Sequence, residues 1–226
     1  MKIKESRLRF SSIEWFGELR EVSIGGLGTI GTHLSLSLAR TGDHTFIMYD
    51  DDTVEIENLS GQLFPRSSIG KLKTEAVVEL IKAYTEIDDD KLFPVNEKLV
   101  EGTYVSPVCF SCFDNMKART IMFNEWCKRD DREIFIDGRM TIENYEVYVV
   151  TKGNEDRYRE SLFDDSEIPP QICSLKNTSH TGALIGARMT LMFTNHLANI
   201  KIGIPIRTTP FRFREDMEYN NIMIEE

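Results

Sequence analysis

Residues 24–73 read IGGLGTIGTHLSLSLARTGDHTFIMYDDDTVEIENLSGQLFPRSSIGKLK, and this stretch decides the fold. Its lead-in, REVSIGG (20–26), is a short strand running into a glycine turn. THLSLSLAR (32–40) places Leu34, Leu38 and Ala39 on one helical face. HTFIMYD (44–50) is a second strand, and GKLKTEAVVELIKAY (70–84) a second helix, apolar at Val77, Leu80, Ile81 and Tyr84. Strand, glycine turn, helix, strand is the start of a βαβ unit.

Working outward, SPVCFSCFD (106–114) is a buried apolar strand that ends in polar residues. NMKARTIMFNEWCKR (115–129) is a third helix, and REIFIDGRM (132–140) and NYEVYVVT (144–151) are two further strands. The spacing predicts an α/β, Rossmann-like chain with a mostly parallel sheet and antiparallel strands toward the C-terminus. Between Lys152 and His180 the periodicity fails, and an acidic segment with Pro169-Pro170 reads as a long loop. A last apolar helix spans about Gly182 to Ile200. The tail, residues 203–226, holds FRF and NIMIE, an expected edge strand. We expect one domain over residues 1–226, with 1–22 as an N-terminal segment.

Net charge is −10 over 226 residues, with 41% hydrophobic and 28% charged. That balance argues against a general nucleic-acid or anionic-membrane binder. No apolar run approaches the roughly 18 residues that span a bilayer. MKIKESRLRF has no apolar core of a secretory signal, so a cytoplasmic protein is expected. Four cysteines make no disulfide framework. Cys109 and Cys112 form a lone C-x-x-C on a buried strand and read as small core residues.

Gly26-Leu27-Gly28-Thr29-Ile30-Gly31 fits G-x-G-x-x-G between a strand and a helix. Gly26 serves the tight turn, Gly28 lets the backbone approach phosphates, and Gly31 lets helix and strand pack closely. The helix beginning near Thr29 offers amides and partial positive charge to an anion. Asp50, ending the second strand, suits a ribose hydroxyl. To this point an NAD dehydrogenase would look the same.

The next residues narrow the chemistry. DDDTVEIENLSGQ (50–62), GKLK (70–73) and CFDNMKAR (112–119) stand in the order and spacing of a family pattern. The chain resembles the ThiF/MoeB/ubiquitin-activating-enzyme superfamily of ATP-dependent adenylyltransferases, over about Arg7 to Asn199. The resemblance implies that Asp50 takes the ribose, that Asn58 and Lys73 take phosphate oxygens, and that Asp114, with Asn115 beside it, holds Mg²⁺. Asp52 and Gln62 belong to the same segment and are expected at the nucleotide. Lys71 and Lys73 open a helix, where a cation is unfavourable unless an anion faces it. Arg119 is expected to pair with an acidic loop. The implied substrate is the C-terminal carboxylate of a small ubiquitin-like or sulfur-carrier protein or peptide, and the implied assembly is a homodimer.

Three positions depart from the pattern or stand apart from it. The family's arginine before the glutamine is replaced by Gly61, and Arg66 and Arg139 are candidate substitutes. A second family arginine comes from the partner subunit's N-terminal segment, where Arg9 or Arg7 lies. Cys173 lies in the long loop before the last helix, near where thioester-forming members carry a nucleophile, and His180, close to it in sequence, is a candidate base. NLSGQLF with FIDGRM resembles a small branch found in phages and mobile elements. Two other readings stay open: a weakened nucleotide-binding partner subunit, favoured by Gly61, and an NAD-dependent oxidoreductase, disfavoured by Lys73.

Overall fold

A computed structural model describes residues 4–141, 143–167 and 178–226. It contains one eight-stranded sheet in the order β3-β2-β1-β4-β5-β6-β7-β8. At its centre lies β1 (Glu21–Gly25), paired in parallel with β2 (Thr45–Tyr49) and β4 (Val108–Ser111). Outside β2 lies β3 (Leu92–Val95), and outside β4 lies β5 (Ile134–Thr141), both parallel to their neighbours. From there β6 (Asn144–Val150), β7 (Arg212–Asp216) and β8 (Asn221–Glu225) continue antiparallel. The expected mixed Rossmann-like sheet is therefore present.

Helices cover both faces, which is why the parallel strands are apolar without strict alternation. α1 (Thr29–Thr41), α2 (Lys73–Tyr84) and α5 (Ser179–Ile202) pack on one face. There Leu34, Leu38, Val77, Ile81, Met189 and Phe193 meet Ile24, Phe46, Phe110 and Ile136. α3 (Met116–Cys127) and the short α4 (Glu155–Arg159) cover the other face. Met122, Phe123, Trp126 and Tyr158 there meet Cys109, Phe135, Tyr148 and Val150. Cys109 and Cys112 belong to opposite layers, and burial pushes both thiols up. They are core residues, as the sequence suggested.

α5 approaches α1 closely through two glycines. A Cβ at Gly182 would meet Thr29, and one at Gly186 would lie 2.8 Å from the Leu34 backbone nitrogen. β1 is flanked by strands whose connections leave in opposite directions. In such sheets the crevice at the strand C-termini, at this switch point, is where ligands bind.

Three features differ from the sequence expectation. The segment read as a long loop contains α4 and a 3-10 turn at Asp165–Glu167. The tail forms two strands rather than one. β3 was not anticipated: it is four residues long, includes Pro94, and sits at the sheet edge where a missing N–H is tolerated.

Candidate nucleotide and cation site

The glycine turn fills the gap between the ends of β2 and β4. The Gly26 amide donates to the Tyr49 carbonyl at 2.9 Å, and the Cys112 amide donates to Gly25 at 2.7 Å. Gly26 has φ +84°, and a Cβ there would lie 2.9 Å from the Cys112 backbone. A Cβ at Gly31 would collide with the Gly26 carbonyl. Gly28 is the opposite case: the nearest atom to a Cβ would be Gln62 Nε2, at 4.0 Å. The first and third glycines thus permit the turn, while the second borders open space.

α1 begins at that space without a capping side chain and without an acid in its first turn. Its leading amides are therefore available to an anion. Gln62 Nε2 is the atom nearest to that space, and Thr29 Oγ1 and Gln62 Oε1 are buried without a hydrogen-bond partner among the described residues. Orphaned buried polar atoms are rare in proteins and mark places where a ligand or water completes the bonding.

Asp50 closes the turn from β2. Its Oδ2 accepts from the Leu27 amide at 2.6 Å and its Oδ1 from the Asp52 amide at 3.0 Å. The carboxylate is 9% exposed. Burial raises its pKa and outweighs the opposing Lys73 charge and both amides. Lys73, the first residue of α2, is 8% exposed, with Nζ 4.0 Å from Asp50 Oδ1 and 2.6 Å from Asp52 Oδ2. Asp52 is 65% exposed and reaches inward to the ammonium. Backbone bonds from Val54 to Lys71, Gly70 to Val54, and Lys73 to Asp52 hold the two segments together. Lys71 points away, to Glu79 at 2.6 Å. Of the two lysines, Lys73 is the one in the crevice.

Asn58 and Gln62 belong to the connection after β2. Asn58 Oδ1 accepts from the Glu55 amide at 2.9 Å in a reciprocal capping box. Its Nδ2 makes no bond among the described residues. The Gln62 amide donates to the Asn58 carbonyl at 2.9 Å. Gly61 has φ −122°, a conformation open to any residue, so the backbone does not require glycine there. His33 contacts the Gly61 backbone from α1 and lies 3.4 Å from Ser179 Oγ. Burial lowers its pKa, against that contact. No motif or spacing in the sequence singles out His33.

The other wall starts where β4 ends. Asp114 and Asn115 are exposed, with Asn115 Nδ2 3.4 Å from Asp114 Oδ1. Asn115 caps α3, accepting from the Ala118 amide at 2.8 Å. A hard cation with several waters and a nucleotide phosphate needs no more than one protein carboxylate. Among the described residues no cluster of three His, Cys, Asp or Glu forms a cage. The donor set therefore suits a cation carried by a phosphate ligand.

The candidate arginines divide clearly. Arg119 pairs with Asp137 on β5 and donates to the Gly138 and Phe113 carbonyls, not to an acidic loop. Arg139 bonds Asp137 at 2.6 Å and Ser161, and stacks over Tyr148 at 4.3 Å. It is fully engaged away from Gly61. Arg66 is exposed. Arg7 is buried against the Ala39 carbonyl and Asp43, while Arg9 is exposed. Cys173 lies outside the described residues. His180 is exposed at the start of α5. No described helix is long and apolar enough to cross a membrane.

The ThiF family matches residues 18–221. A ubiquitin-like modifier-activating enzyme 5 of Dictyostelium discoideum is 36% identical over 122 residues, 47% of this chain and 32% of that protein. The sulfur carrier protein ThiS adenylyltransferase of Escherichia coli is 26% identical over 178 residues, 76% of this chain and 68% of that protein. A crystal structure of E. coli MccB with ATP superposes with a TM-score of 0.69 at 17% identity, covering 94% of this chain and 64% of that one. The chain spans about a third of the length of the ubiquitin-like modifier-activating enzymes it matches. With a family match over residues 18–221, nearly all of the sequence given, the chain belongs to the ThiF family.

Proposed function

We propose that this chain is an ATP-dependent adenylyltransferase acting as one unit over its length. Its substrate would be the C-terminal carboxylate of a small ubiquitin-like or sulfur-carrier protein or peptide. The carrying observation is an uncapped α1 N-terminus whose glycine turn is tied through Asp50 to a buried lysine, Lys73. A dinucleotide dehydrogenase would share the turn and Asp50 but has no use for a buried cation at that place. The names of the ThiS adenylyltransferase and of MccB with ATP support the same reading.

In the reaction, a substrate carboxylate oxygen bonds the α-phosphorus of ATP, the bond to the β-phosphate oxygen breaks, and pyrophosphate leaves. Asp50, which already accepts the Leu27 and Asp52 amides, has a further lone pair on each oxygen to accept from the ribose hydroxyls. The α1 amides, Lys73 and Asn58 Nδ2 hold phosphate oxygens, and Asp52 keeps Lys73 in place until the nucleotide arrives. Thr29 and Gln62 complete their bonding on the nucleotide. Asp114 with Asn115 would hold Mg²⁺, which would neutralise charge on the phosphates. Catalysis is positioning and charge stabilisation. We further propose a cytoplasmic homodimer in which exposed Arg9 reaches the second copy's phosphates, and Cys173 as the acceptor of any later thioester.

The test is pyrophosphate exchange into ATP with candidate Gly-Gly-ended proteins. Carboxylate-dependent exchange that is lost in Asp114→Ala supports the reading. Exchange retained in Cys173→Ala limits the chemistry to adenylation. Tight ATP binding without exchange for any carboxylate overturns it in favour of a partner subunit, the reading that Gly61 supports.

A further inference from the structure

Asp114 leaves β4 on a short exposed turn, a poor platform for a cation ligand unless something fixes it. The turn is gripped at both ends. On one side, Arg119 donates to the Phe113 carbonyl and to Asp137 and Gly138. On the other, Asp165 accepts from the Met116 amide at 2.7 Å and the Lys117 amide at 3.2 Å. Those amides are the first two of α3, which would otherwise lack partners. Asn115 takes the next free amide, that of Ala118. The two grips are joined. Asp137 also binds Arg139 at 2.6 Å and the Tyr158 hydroxyl at 2.9 Å, and Arg139 donates to Ser161. The chain then runs four residues from Ser161 to Asp165.

We infer that Asp165 is a positioning residue for Asp114: the segment from Tyr158 to Asp165 is a brace, anchored on buried Asp137, that fixes the Asp114 turn for cation binding. This rests on the adenylyltransferase reading for its consequence but not for its geometry. Asp165 is exposed, so its removal leaves the core intact, whereas a change at Asp137 would disturb folding.

The experiment uses the whole chain and its Asp165→Ala, Asp165→Asn and Asp114→Ala variants. Deuterium exchange is measured over residues 113–119, and Mn²⁺ affinity by electron paramagnetic resonance with a non-hydrolysable ATP analogue. In Asp165→Ala we expect faster exchange of the Met116 and Lys117 amides and about 10-fold weaker Mn²⁺ binding, a loss typical of residues that orient metal ligands. The melting temperature falls by no more than a few degrees, as for the loss of one helix-terminal acceptor, and the metal-free affinity for the analogue stays unchanged. Asp165→Asn keeps an acceptor and recovers part of the Mn²⁺ affinity. Unchanged Mn²⁺ affinity in Asp165→Ala overturns the inference, as does Mn²⁺ binding that is indifferent to Asp114→Ala. Absence of pyrophosphate exchange by the unaltered protein would instead strike the adenylyltransferase reading, and the two measurements above would still report on the brace.

Discussion

Asp50, just past the end of β2, and Asp137, within β5, are both carboxylates largely removed from solvent, yet their surroundings shift them in opposite directions. Asp137 has no solvent exposure and would be raised by burial, but Arg119 and Arg139 hold it below the usual carboxylate range. Asp50 has two amides and a lysine 4.0 Å away, and burial wins. The difference separates scaffold from site. Around Asp137 guanidinium, hydroxyl and backbone groups converge on one carboxylate. Around Asp50 the bonding is incomplete, and Thr29 and Gln62 nearby are unsatisfied as well. Asp137 belongs to the scaffold, and the Asp50 side is where the proposed nucleotide would add bonds.

The comparison breaks most visibly at Asp137. Asp137→Asn faces two buried guanidiniums with a neutral amide and should cost about 3–5 kcal/mol in urea unfolding. The pH dependence follows the lowered pKa. The stabilisation is complete above the unfolded aspartate value of about 3.9 and disappears as pH falls through the lower folded value. The parent protein should therefore lose stability on acidification below about pH 4, and Asp137→Asn should lose less. A variant as stable as the parent would remove Asp137 from the scaffold.

Lys73→Met should lower the pyrophosphate-exchange rate by about 10²–10³, the effect of deleting one charge-stabilising donor. Unfolding should move little beside the Asp137 variant. Equal loss of stability in the two would erase the distinction between the regions. For Asp50→Asn the sign reverses. Its raised pKa means that the folded protein disfavours the ionised form, so at pH 7 the amide should be no less stable than the parent. ATP affinity, read by calorimetry, should weaken by about 1.5–3 kcal/mol, the value of hydrogen bonds to a charged group. Gly31→Ala sets the small end of the series: a methyl against the Gly26 carbonyl should cost about 1–3 kcal/mol by overpacking and loosen nucleotide binding with it.

The β1–α1–β2 region was legible because its signals are local. A glycine turn, two periodicities and a strand-ending acid lie within about thirty residues of one another. Asp50 and the three glycines came out of that pattern, and Lys73 out of the family resemblance; the structure sets Lys73 Nζ 4.0 Å from Asp50 Oδ1. The Asp137 cluster was not legible. Its members stand at 119, 137, 139 and 158, and no periodicity links them. Arg139 looked like a substitute for the arginine missing at Gly61 because sequence shows charge but not what has already neutralised it. α4 was hidden for a related reason: five residues with one apolar anchor, Tyr158, carry too little periodicity to stand out from a loop. Asn58 was legible as a polar residue in the right place, but its use of Oδ1 as a cap depends on the turn it makes.

The glycine-mediated contact between α1 and α5 has a bearing on time. α1 is complete at residue 41, while Gly182 and Gly186 are made some 140 residues later. During synthesis the face of α1 that they cover stays open to solvent and to other chains for that whole interval. At about 5–20 residues per second, the delay is on the order of ten seconds. Pairing across so long a separation also slows folding in free solution. The nucleotide turn can form early, but the helix that closes over its back arrives some 140 residues later. A ligand bound to the young crevice, or a chaperone on the bare helix, would act in that window.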